Sequence, residues 1–251
     1  MFDRKSERQR FLRDVGSIAG RDVRVLWTPG QYDRTIVTDD SQFSNSITWD
    51  GSVQARLSRL GLGYSQSFNG TSNFGRIADA AHLSIGNGTT DNPWTVFAVI
   101  NVTDTAAIRM ICAKEDFAAN SEFSFRVLAA DTMFAALLDE SAASVIQQTS
   151  NSAVTQGSWI TVAFTYTGGG ANTHIVLYQN GVAFASSAAG GPITAVENLA
   201  APFGIGANVN TSNVGGNFFS GSMAFLGAFA LKLSPAAILQ MHQRSKAFFR
   251  I

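Results

Sequence analysis

Residues 157–187 read GSWITVAFTYTGGGANTHIVLYQNGVAFASS, and this stretch decides the fold. After Trp159, the apolar Ile160, Val162, Phe164 and Tyr166 alternate with Thr161, Ala163 and Thr165. Period two places successive side chains on opposite faces, which predicts a strand. Gly168, Gly169 and Gly170 break the run, and a second strand is predicted over 174–179. Asn180-Gly181 closes it; both residue types tolerate positive φ, which makes this pair a strong hairpin signal. A third run, 182–187, is predicted to return beside the second. The centre of the chain is therefore an antiparallel meander and not a βαβ unit.

Outward from this meander, strands are predicted at 23–27, 35–38 and 46–49. Others are predicted at 62–68, 74–78, 94–102, 107–114, 122–128, 133–138, 144–148, 202–205 and 218–231. In the last run Met223, Phe225 and Phe229 alternate with Ala224, Leu226 and Ala230, so both faces are apolar. That pattern predicts a central strand covered on both sides. Ser234-Pro235 is a helix start, with Ser as N-cap and Pro at the first helical position, and the helix is expected over 236–244. At the other end, Ser6-Glu7-Arg8-Gln9 fits a capping box, and Phe11, Val15 and Ile18 share one helix face. A short basic helical arm over residues 1–22, ended by Gly20, is expected ahead of one β domain over 23–251.

Several motifs in this order carry a family resemblance. They are Phe68-Asn69-Gly70, the run Trp94 to Val99, Trp159 with Thr165-Tyr166, Leu177 to Gly181, Ile205-Gly206, Phe219 to Met223, and Leu233 to Ile238. Together they resemble laminin-G-like domains of the concanavalin A-like lectin/glucanase superfamily, over roughly residues 64–243. The resemblance implies an all-β jelly-roll sandwich of two antiparallel sheets, here with an N-terminal helical arm and a C-terminal helix.

Composition bounds the remaining possibilities. The 251 residues are 45% hydrophobic, enough for a large core, and only 14% charged. Formal net charge is zero, yet residues 1–30 hold seven basic side chains and residues 232–251 hold four with no acid. Such basic ends either dock on something acidic or fold back on their own acidic body. Arg4, Lys5, Arg8, Arg10, Phe11, Val15 and Ile18 are the candidate partner-docking residues. The basic residues are split between the ends and form no recognition motif, so nucleic acid is not an expected partner. No apolar run is long enough to span a membrane as a helix. The charged N-terminus has no secretory h-region, so a leaderless protein is expected.

Catalytic chemistry is sparsely represented. Glycosidases need two carboxylates flanking the scissile bond, but no Glu here has an Asp two residues on, the opening of the hydrolase pattern of the resembled family. The adjacent pairs Glu115-Asp116 and Asp139-Glu140 are expected as solvated residues at strand ends. His82, His174 and His242 lack metal-ligand spacing, and Cys112 reads as a small buried hydrophobe. The resemblance implies calcium at a sandwich rim, but here its acidic motif has become Phe68-Asn69-Gly70-Thr71-Ser72-Asn73. Amides and hydroxyls lack the charge a hard cation favours, so neither metal nor cofactor is expected. The 208–217 loop offers Asn208, Asn210, Asn213 and Asn217 as candidate glycan-binding residues; the competing reading is a polar loop that turns sharply.

The expectation is a non-catalytic structural protein of a large assembly. A leaderless domain of this family resembles those of bacteriophage particles, which implies a virion surface protein with virion partners, copies of itself and possible glycan adhesion. The alternative is a stand-alone carbohydrate-binding lectin module, with a glycoside hydrolase third.

Overall fold

The computed structural model describes residues 4–20, 22–30, 36–51, 57–116 and 119–251. Within them two antiparallel sheets pack face to face. The first has eight strands. Its path runs β14 (Val182–Phe184), β13 (Ile175–Gln179), β12 (Ile160–Tyr166), β7 (Trp94–Val102), β19 (Ser220–Phe229), β5 (Gly63–Asn69) and β4 (Leu57–Leu60). The strand β1 (Val23–Trp27) joins it beside β19. The second sheet has nine strands. It runs β15 (Ser186–Gly190), β11 (Ser144–Ala153), β10 (Thr132–Asp139), β9 (Phe123–Val127) and β8 (Arg109–Lys114). It continues through β16 (Phe203–Ile205), β6 (Phe74–Ile77), β3 (Ser46–Asp50) and β2 (Ile36–Thr38). A small hairpin, β17 (Asn208–Val209) with β18 (Gly215–Gly216), stands apart. Residue 35, the start of one predicted strand, lies outside the described residues.

The core between the sheets is aromatic. Trp94, Phe123, Phe125, Phe164 and Phe203 are fully buried, with Phe125 edge-on to Phe164 at 5.3 Å. Trp27 and Trp49 pack together here with ring centroids 5.1 Å apart. Cys112 is buried in the same cluster, and burial raises its thiol pKa.

The first sheet is apolar on its other face too. Phe97, Val99, Ala163, Tyr178, Phe225 and Phe229 point away from the sandwich into a second cluster, built with two helices. These are α1 (Arg4–Ala19) and α2 (Pro235–Phe249). The prediction that the last strand is covered on both sides therefore holds. Its faces differ from strict alternation, because a bulge between Met223 and Phe225 shifts the register against β7. Met223 and Leu226 thus share the inner face while Phe225 and Phe229 meet the helices. An extra residue inverts every later side chain, which periodicity alone does not reveal.

Other differences have similar causes. The run 182–187 divides at Ala185: β14 continues the meander, and β15 crosses to pair with β11 in the other sheet. Ser234 caps α2 as expected, accepting from the Ala237 N–H at 3.2 Å. The helix then runs past Arg244 to Phe249, where Phe248 and Phe249 pack on Phe11. Along it Ile238 and Met241 are buried and Leu239 is exposed. The first helix is already formed at Arg4, so Ser6 lies inside it and not at its N-cap position.

The arm folds back on its own chain. Phe11, Leu12, Val15 and Ala19 are buried against the first sheet and α2, and Ile18 is half-buried. Arg8 pairs with Asp40 and donates to Thr28, and Arg244 at the other end lies 3.5 Å from Asp14. Of the two readings offered for the basic ends, Arg8, Phe11 and Val15 fit the one in which they fold back on the chain's own body. An amphipathic helix of this length is marginal alone, and the chain supplies the surface it needs. Arg10 stays exposed; the side chains of Arg4 and Lys5 lie outside the described residues.

Candidate functional site

Both helices cover the first sheet and neither covers the outer face of the second, whose small outward residues Ala113, Ser124 and Ala136 lie buried between larger neighbours. The β17–β18 hairpin packs against β8 and β16 of this sheet, and the turn Asn172–His174 lies against β11 and β15. The strand registers fix which residues line this outer face. Across β8, β9, β10, β11 and β15 one ladder of paired residues runs Ala113, Ser124, Ala136, Gln147 and Ala189. Its neighbours along each strand are the core residues Cys112, Phe125, Ala135 and Ile146, so the ladder faces outward. Four strand spacings make it about 19 Å long. Three of its five members are Ala and one is Ser, which leaves a trough across the strands.

The walls are larger. On one side the next outward ladder is Met110, Arg126, Phe134, Thr149 and Ser187. On the other stand Glu115, two residues beyond Ala113, and the paired Leu138 and Val145. The hairpin closes one end. It sits on Gly204, where a Cβ would lie 2.2 Å from the Ala207 carbonyl oxygen, and Val209 donates its N–H to the Glu115 carbonyl at 3.2 Å.

The charged side chains of the trough are Glu115 and Arg126. The Arg126 guanidinium lies 4.4 Å from the centre of the Phe134 ring and 3.7 Å from Glu115. Burial pushes the Glu115 carboxyl up, opposed by Arg126 and by a hydrogen bond from Ser124, while Glu140 and Asp116 push it further up. Burial likewise draws Arg126 down, opposed by Glu115. The two expected carboxylate pairs do stand at strand ends, yet neither is fully solvated. Asp116 is buried and accepts from the Ala119 N–H at 2.9 Å. Asp139 is buried and accepts from the Thr194 N–H at 3.1 Å.

The four asparagines of the 208–217 loop have local roles. Asn208 is buried and accepts from the Asn217 amide at 3.2 Å. The Asn210 side chain accepts from the N–H groups of Ser212 and Val214, holding the turn of the hairpin. Asn213 and Asn217 have φ of 64° and 50°, a region Asn tolerates better than most residues, and Asn213 accepts from Arg76. The sharply turning polar loop describes them, in place of a free amide row. The trough itself was missed, and a signal for it existed: Ala113, Ser124 and Ala136 interrupt otherwise large strand residues. Reading them as one row required the register.

Asp79 and Asp91, the acidic residues that follow the Phe68–Asn73 segment, both have partners within the chain. Asp79 pairs with Lys114 at 2.8 Å; Asp91 accepts from the Tyr166 hydroxyl and from the Val196 N–H at 2.7 Å.

These shifts make a prediction about pH. The carboxyls of Asp40, Asp91, Glu115 and Glu122 are all raised, first by burial. A carboxyl whose native pKa exceeds its unfolded value takes up its proton more readily when folded. Its stabilising contribution is therefore full below the ordinary carboxylate range and is lost as pH rises through the native value. Asp104 acts the other way, held low by the Ala106 N–H and Arg109, but it is exposed. Two histidines oppose this: burial lowers His82 and His242, so protonation below the ordinary histidine range favours the unfolded chain. With both replaced by Gln, melting temperature should be higher at about pH 5 than at pH 7. A steady fall over that range in thermal scans would contradict it.

The family model of the concanavalin A-like lectin/glucanases superfamily matches residues 69–239. No curated protein matches the sequence. Among solved structures, the binding domain of Paraclostridial Mosquitocidal Protein 1 superposes with a TM-score of 0.64 at 9% identity, covering 88% of this chain and 52% of that one. The receptor-binding domain of botulinum neurotoxin type G gives 0.59 at 10% identity, covering 87% and 50%. Domain 4 of an extracellular arabinanase from Geobacillus stearothermophilus, solved with arabinotriose, gives 0.56 at 15% identity, covering 88% and 98%. The chain thus spans about half of each toxin domain and nearly all of the arabinanase domain.

Proposed function

The chain belongs to the concanavalin A-like lectin/glucanases superfamily, and on that footing we propose that it is a non-catalytic carbohydrate-binding module. A linear glycan would lie in the trough on the outer face of the second sheet. The observation that carries this reading is the outward ladder Ala113, Ser124, Ala136, Gln147 and Ala189, on the sheet face that the helices leave free. A flat sugar chain needs a shallow groove with a few planar polar groups and an apolar wall, and Arg126, Glu115 and Phe134 offer both. The arabinanase domain that this chain covers almost end to end was solved with a neutral oligosaccharide, which supports the reading by likeness of fold.

Display on a larger particle, virion or otherwise, remains the second reading. The low lysine content, four Lys against fourteen Arg, is compatible with it. The arm that was to provide attachment is buried in cis, so the binding reading stands first.

The test is a screen of the full chain against a panel of oligosaccharides, alongside Ala136→Arg. The added side chain fills the trough without touching the core. Binding of a panel member that weakens at least tenfold in Ala136→Arg is the expected result. Absence of binding, or equal binding by the variant, rejects the trough as the site. Release of reducing ends from a bound oligosaccharide would reject the non-catalytic reading.

A further inference from the structure

We infer that Arg126 and Glu115 form a strap across the trough that opens for uncharged glycans and selects against anionic ones. The inference rests on the trough being the glycan site.

The geometry is set by the ladder. Ala113 pairs with Ser124, Glu115 lies two residues beyond Ala113, and Arg126 lies two residues beyond Ser124 in the antiparallel neighbour. Glu115 and Arg126 thus stand on opposite sides of the Ala113–Ser124 floor, and their contact must pass over it. Ser124 and Ala113 are accordingly buried although they face outward.

The strap is loose. Its closest approach, 3.7 Å, exceeds hydrogen-bond distance. The Arg126 Nε and the Glu115 Oε2 are both buried without a hydrogen-bond partner. Unmet charged groups of this kind are costly, so a ligand that satisfies both gains what the protein leaves unmade. Neighbouring hydroxyls on one sugar ring do so: one accepts from the guanidinium and the other donates to the carboxylate. Movement of Arg126 also uncovers the Phe134 ring, which is 6% exposed beneath it.

Charge then sets the specificity. Glu115 already offsets the one positive charge of the strap, and Asp116 and Glu140 both act on Glu115 as further negative charge. A carboxylate or sulfate on the ligand would meet this excess at short range, where water screens poorly. A neutral chain meets no such penalty.

The experiment pairs each neutral oligosaccharide on an array (lactose, arabinotriose, cellotetraose) with an acidic counterpart carrying sialic acid, sulfate or a uronic acid. The full chain is tested beside Glu115→Gln and Arg126→Ala. The expected result is a neutral member bound roughly tenfold more tightly than its acidic counterpart. Glu115→Gln should narrow that gap and Arg126→Ala should weaken neutral binding. Equal or tighter binding of the acidic member to the parent chain overturns the strap's selectivity while the carbohydrate-binding reading stands. If no member binds, both fall. The comparison on the parent chain does not depend on either variant folding.

Discussion

Lys114→Met will lower the melting temperature by on the order of 10 °C, and Lys114→Met with Glu122→Gln will recover most of the loss. Lys114 ends β8 with no solvent exposure. Its ammonium lies 2.6 Å from Glu122 and 2.8 Å from Asp79, and it donates to the Leu199 carbonyl. Glu122, equally buried, also accepts from the Leu199 N–H at 2.7 Å and the Ser84 hydroxyl at 3.0 Å. The cluster thus ties the second sheet to two segments without strand structure. Removing the cation leaves a buried carboxylate without its counter-charge, which costs about 3–5 kcal/mol. In a chain of this size each kcal/mol moves the melting temperature by roughly 2–4 °C. The double variant removes the charge as well as its partner, so its cost is smaller.

The same variant has a pH signature. Burial already raises the Glu122 carboxyl against the pull of Lys114. Without Lys114 it rises further, and protonation relieves the penalty as pH falls towards about 5. A Lys114→Met protein that melts within 2 °C of the parent at pH 7 would show that the cluster contributes little.

The second large effect concerns the helical arm. Phe11→Ala is expected to cost about 3–5 kcal/mol, seen as an earlier thermal transition with unchanged strand signal. Phe11 stacks on Phe248 with centroids 4.6 Å apart and meets Phe225 and Phe249 edge-on at 5.6 Å and 5.4 Å. Deleting residues 1–22 goes further. It uncovers Leu26, Phe225, Phe248 and Phe249 together, an apolar patch of the kind that drives association. Light scattering should find the full chain monodisperse and the truncated chain aggregated. An arm built for attachment predicts the reverse. A truncated chain that stays monomeric with unchanged melting would show that the helix adds nothing to the domain.

The meander was legible because its signals are local. Alternation from Ile160 to Tyr166 and the Asn180-Gly181 turn need no distant partner, and both left-handed residues of that turn appear as expected, with φ of 50° and 81°. The N-cap at Ser234 is local as well. The covered last strand was visible because one run contained two apolar faces. Its bulge was not, since an extra residue in β19 has meaning only opposite β7.

The candidate site shows the same division more sharply. The Asn-rich loop stood out in the sequence, yet its amides bond within the loop and to Arg76. The trough's members are spread from Ala113 to Ala189 and are unremarkable one at a time. Glu115 and Arg126 looked like ordinary surface charges, and Lys114 and Glu122 gave no hint of full burial.

By itself, then, the sequence determined the local rules: which runs extend, where the chain turns, how α2 starts, and the family that their order implies. The tertiary structure alone decided which strands are neighbours, which face each side chain takes after a bulge, and that the arm closes on its own body. The physical reason is range. Backbone preference and period act over a few residues, whereas register, burial and the pairing of charges are set by contacts between residues far apart in the chain.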